Sequence, residues 1–155
     1  MRFNVAVLRA PVMPQETREF SDPSNPGVVL TLQLTALGTV GQSMAREKAA
    51  EYIEEYVYPP AGQEKKPIPA IEDARGELAF PEATASLCNA IALIEAMQPE
   101  EERLSFLEWL HVAVAMPSAW LEIQGWVREL LGRGVAALGN AAGVATSTPA
   151  ASHSA

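Results

Sequence analysis

Leu104-Ser105-Phe106-Leu107-Glu108-Trp109 is the clearest local signal in the chain, and it marks the start of a helix. A serine followed three residues later by glutamate forms a capping box. The serine hydroxyl accepts from the N3 amide and the glutamate carboxylate returns to the serine amide. Leu104 before the cap and Trp109 at the fourth helical position complete a hydrophobic staple. Downstream comes Met116-Pro117, with proline placed to open a further helix because its missing N–H would be unpaired there anyway. That helix is read to about Leu131 and lines up Trp120, Ile123, Val127, Leu130 and Leu131 on one side. Gly132 or Gly134 is expected to end it.

Upstream of the capping box, Leu87, Ile91 and Ile94 recur at helical spacing and predict a helix over about 83–97. Prolines 59, 60, 67, 69 and 81, with glycines 62 and 76, make 59–81 an irregular connection, long for a compact domain and expected to be mobile. Before it, 40–57 places Ala45, Ala49, Tyr52, Ile53 and Tyr56 on one helical stripe, with Glu47, Glu51, Glu54 and Glu55 mostly outside it. The first third has a different period. Phe3, Val5 and Val7 alternate, as do Val28, Leu30, Leu32 and Leu34, with a short strand expected at 16–20 between them. Asp22-Pro23-Ser24-Asn25-Pro26-Gly27 supplies the turn. The fold class expected is α+β: a small N-terminal antiparallel meander of three strands, then a mainly helical body of about four helices. Residues 1–133 form one domain in this reading, and 134–155, without Asp, Glu, Lys or Arg, form a flexible tail.

Nineteen acids against eleven bases give a net charge of −8. Nucleic-acid affinity comes mainly from basic groups displacing counterions, and Lys65-Lys66 is the only adjacent basic pair, so no nucleic acid is expected as a partner. Anionic membrane surfaces are disfavoured for the same reason, and no stretch is apolar for long enough to span a bilayer. Cys88 is the single cysteine, which excludes an intramolecular disulfide. With no secretory signal at the N-terminus, the expected location is cytoplasmic, the host cytoplasm if the chain is phage-encoded.

The constellations that could carry chemistry have simpler explanations. Glu108 and His111 have half the spacing of a di-iron carboxylate site, but such a site needs a second pair and two more carboxylates, and the other histidine is His153. Cys88 falls beside the apolar stripe of its helix and reads as a small core hydrophobe. No phosphate-binding glycine loop or nucleophile elbow is present. No catalytic, metal-binding or cofactor-binding residue is therefore assigned, and the chain is expected not to be an enzyme.

Protein binding is the remaining class. The acidic set Glu47, Glu51, Glu54 and Glu55 is ordinarily a solvated face, but Glu47, Glu51 and Glu55 are like charges at i, i+4, which slightly destabilise a helix and leave a binding role for that face as the second reading. Trp126 lies off the main stripe of the last helix and reads as an exposed interface anchor, with Glu122 and Glu129 beside it, although a wide buried face would also account for it.

The layout resembles the tail assembly chaperones of long-tailed bacteriophages. The resemblance rests on Asp22-Pro23, Pro26-Gly27-Val28-Val29-Leu30-Thr31-Leu32, the acidic helix, the variable loop, Ser105-Phe106-Leu107-Glu108-Trp109 and Met116-Pro117-Ser118-Ala119-Trp120, and it covers about 3–131. It implies a non-enzymatic chaperone that binds the tape-measure protein during tail morphogenesis, before tail-tube subunits polymerise around it. It also implies a longer frameshifted product. The tail-tube protein and self-association are further partners to consider. The alternative is a structural virion component, such as a minor tail or head–tail joining protein.

Overall fold

The computed structural model describes residues 12–146, with side chains to 138. Strand β1 (Gln15–Phe20) pairs antiparallel with β2 (Leu30–Thr35), in a register that sets Glu16 opposite Leu34 and Phe20 opposite Leu30. The first of the three expected strands, Phe3 to Val7, lies outside the described residues; the other two are present. Gly27, at φ 95°, takes the left-handed conformation that the turn between them needs.

Helix α1 (Thr39–Tyr56) follows and packs on α2 (Pro81–Met97). Its buried residues, Ala45, Ala49 and Tyr52, belong to the stripe read from sequence. Two small residues on that stripe let the helices approach closely. Phe106, at the start of α3 (Phe106–Ala115), closes over their far end, with its ring 4.5 Å from that of Tyr52 and 4.4 Å from that of Tyr56. Both capping-box bonds at Ser105 are formed, and Leu104 and Trp109 join the core.

The connection over 59–81 is irregular, as expected, but it is anchored rather than loose. Ile68 is fully buried, a 3₁₀ turn covers Pro69–Ile71, and Glu72 pairs with Leu78 through a β-bridge. Lys65 reaches Glu72 at 2.8 Å and Lys66 reaches Glu55 at 2.9 Å, so both lysines are engaged. Glu72 also accepts from the Ile68 amide. Proline content signals an absence of helix, not an absence of contacts.

Helix α4 runs over Pro117–Thr146, so the expected end at Leu131 is corrected. Neither Gly132 nor Gly134 breaks it; of the tail expected over 134–155, residues 134–146 are helical and 147–155 lie outside the described residues. Gly134 has a packing reason. A Cβ there would lie 2.9 Å from Ala36 Cβ and 3.0 Å from Met13 Cε, so only glycine lets α4 pass this close to the β2–α1 junction. Its start is equally tertiary. Met116 offers only a weak thioether acceptor as a cap; Asp22, from the hairpin turn, accepts from the Ala119 amide at 2.9 Å and from Ser24 N–H at 2.8 Å. Those amide bonds hold the Asp22 carboxyl below its ordinary range.

Candidate partner-binding surface

Trp126 is not an exposed anchor. It is 2% exposed, and its Nε1–H donates to Glu16 Oε1 at 2.7 Å. The register explains this: Glu16, Arg18 and Phe20 stand on the same sheet face as Leu34, Leu32 and Leu30, the face that α4 covers. Phe20 lies 5.5 Å from the Trp126 ring and the Arg18 guanidinium sits 5.1 Å above it. Arg18 and Arg133 also reach Glu16 Oε1, at 3.1 and 2.8 Å. The Arg133 hydrogen bond, then that from Trp126, brings the Glu16 carboxyl down to about 2. Trp126 therefore fastens α4 to the hairpin. The wide buried face of a long helix places a residue in the core even when it stands off the main stripe.

The acidic residues do not gather around Trp126. Glu129 stays exposed, 3.7 Å from Arg18, and Glu122 is exposed on α4. On α1, Glu51 pairs with Lys48 at 3.2 Å and the half-buried Glu55 pairs with Lys66, which relieves the i, i+4 repulsion. Glu47 is exposed. The six residues thus divide between two helices, Glu122, Trp126 and Glu129 on α4 and Glu47, Glu51 and Glu55 on α1.

Sequence reasoning missed the apolar outer face of α3. Of its 10 residues, FLEWLHVAVA, only Glu108 and His111 are polar, more apolar positions than one buried side uses. Phe106, Trp109, Leu110 and Val112 go inward, leaving Leu107 and Val114 each 46% exposed with His111 between them. Leu107, His111 and Val114 follow i, i+4, i+7 spacing, the pattern a partner helix reads. Beside them runs an open groove of about 390 Å³, lined by Leu30, Leu104, Leu107, Glu108, His111 and Val112. A second shallow hollow, of about 450 Å³, has Tyr58 and Phe80 on its walls.

Neither hollow contains an activated nucleophile. Cys88 is fully buried, and burial pushes its thiol up to about 11, which keeps it protonated. Glu108 is engaged by the capping box, accepting from the Ser105 amide at 3.1 Å while its own amide reaches Ser105 Oγ at 3.2 Å. No helix among the described residues is long and apolar enough to cross a membrane. Compared with known proteins, the chain matches no family model, no curated protein and no solved structure.

Proposed function

We propose that the chain is a non-enzymatic tail assembly chaperone that acts in the host cytoplasm and binds the tape-measure protein during tail morphogenesis. The observation that carries this reading is the exposed Leu107–His111–Val114 face of α3 with the groove beside it. A long helical client exposes apolar stripes before assembly, and such stripes aggregate unless covered. Covering them along their length calls for many shallow, repeated contacts, and multivalent engagement raises avidity by ~10²–10⁴ without any deep pocket. A short helix with apolar residues on a second face fits that task. The net charge of −8 keeps such carriers apart in solution and favours a basic client.

The test is co-expression with the tape-measure product, followed by recovery of the complex at low salt. Leu107→Asp combined with Val114→Asp is expected to abolish recovery while thermal unfolding stays cooperative. A client equally soluble without this protein sinks the reading, as does a complex that survives the double substitution. Stoichiometric retention of the chain in purified particles would identify a virion component instead.

A further inference from the structure

Glu95 is 93% buried at the α1–α2 seam, being 7% exposed. Its Oε2 accepts the Tyr52 hydroxyl at 2.6 Å. Its Oε1 is the one buried side-chain oxygen or nitrogen without a hydrogen-bond partner among the described residues. Buried polar atoms almost always have partners, so one left bare calls for an explanation. The oxygen belongs to a residue that lines a cleft of about 190 Å³ between the two helices. Ala92, Ala96 and Met44 form its apolar walls, and Lys48 and Arg103 bring two cations to it.

We propose that this cleft binds a small α-amino or α-hydroxy acid, with the ligand's N–H or O–H donating to Glu95 Oε1 and its carboxylate meeting Lys48 and Arg103. The charges select this class. A bare cation would satisfy Glu95 but meet two like charges, and a bare anion would meet a buried carboxylate. A molecule with a donor next to a carboxylate satisfies all three groups. The cations have capacity to spare. Lys48 gives one bond to Glu51 and Arg103 one to the Gln98 carbonyl, while an ammonium carries three N–H groups and a guanidinium five. Burial, the largest influence, pushes the Glu95 carboxyl above its ordinary range, opposed by the Tyr52 hydrogen bond and then by Lys48 and Arg103. A bound donor would counter the burial. Glu95 Oε1 is itself closed to solvent, so entry requires the long, at least half-exposed side chains of Met44 and Lys48 to move aside. The site is independent of the α3 face and stands whether or not the chaperone reading does.

The experiment is amide-detected NMR of the full chain, titrated with L-alanine and with lactate, and in parallel with ethylammonium and propionate. Saturable shifts are expected at Ala45 to Lys48, Ala92 to Ala96 and Arg103. The two acids should bind in the millimolar range, roughly tenfold more tightly than either control. Glu95→Gln should weaken L-alanine by a similar factor, and Ala96→Leu, which fills the cleft without touching the carboxylate, should abolish binding of both. The proposal is overturned by an absence of saturable shifts, by propionate or ethylammonium binding as well as L-alanine, or by shifts that persist in folded Ala96→Leu.

Discussion

The two seams of this molecule each hold a carboxylate between elements distant in sequence, and the two are treated in opposite ways. At the hairpin–α4 seam, three donors from Trp126, Arg18 and Arg133 converge on one oxygen of Glu16, and its carboxyl is driven down. At the α1–α2 seam, Glu95 has the Tyr52 hydroxyl on one oxygen and nothing on the other, and its carboxyl is driven up. Hydrogen bonding favours the charged form in the first case, and desolvation disfavours it in the second. The difference teaches that the hairpin–α4 seam is locked by charge, whereas the α1–α2 seam is held by its small-residue packing and tolerates a charge.

The comparison can be broken most forcefully at Trp126. Trp126→Ala removes a fully packed indole and the donor to Glu16, and is expected to cost about 3–5 kcal/mol in urea unfolding. A loss under about 1 kcal/mol would mean that the seam holds without its tryptophan. Caps offer a second contrast. Ser105→Ala, a local cap, should cost about 0.5–2 kcal/mol. Asp22→Ala should lower the unfolding midpoint further, because it also unties the hairpin turn from α4. Equal midpoints for the two variants would show the remote cap to be no more than a local one.

Glycines give a smaller and signed effect. At Gly132 an added Cβ meets nothing within 4 Å, so Gly132→Ala should stabilise α4 by about 0.5–1 kcal/mol. At Gly134 the contacts with Ala36 and Met13 oppose that gain, and Gly134→Ala should be neutral or destabilising. Equal stabilisation by both would place α4 farther from the hairpin than described.

Acid titration separates the two carboxylates with the least perturbation. Glu16 has a folded value near 2 against an ordinary 4.5, so its contribution is complete above about 4.5 and is lost as pH falls toward about 2. Glu16→Gln should flatten that part of the acid unfolding profile. Glu95 has the opposite sign. Its folded state favours the proton, so stability declines as pH rises from the ordinary range to its raised value and is level above it. Glu95→Gln should match wild type near pH 4 and equal or slightly exceed it at pH 7, the smallest effect in the series. A Glu95→Gln variant that is less stable only at neutral pH would mean that the ionised carboxylate is itself satisfied.

Much of the fold was legible because its signals are local. The Ser105–Glu108 box, the Ala45/Ala49/Tyr52 stripe and the Leu30/Leu32/Leu34 alternation each act within one element, and each appears where its spacing put it. The candidate surface was less legible. An apolar excess over the 10 residues of α3 was open to view, but which side would be left outside depended on what packed against the other. Trp126 was misplaced because its helical phase, taken alone, could not include a hairpin that supplies Glu16 and Arg18 as polar partners inside the fold.

By itself, the chain's order of residues determined its α+β class, the start of α3 and the buried stripes of its helices, since period and capping are short-range matters of sterics and hydrogen bonding. Tertiary structure alone decided that Gly134 would be a crossing point and not a helix end. It also decided that Asp22 would cap a helix far along the chain, and that Glu16 and Glu95 would titrate in opposite directions. Each of these depends on which groups meet across the fold. A residue's own neighbours do not encode the donors, the desolvation or the close backbone approach that a remote element brings to it.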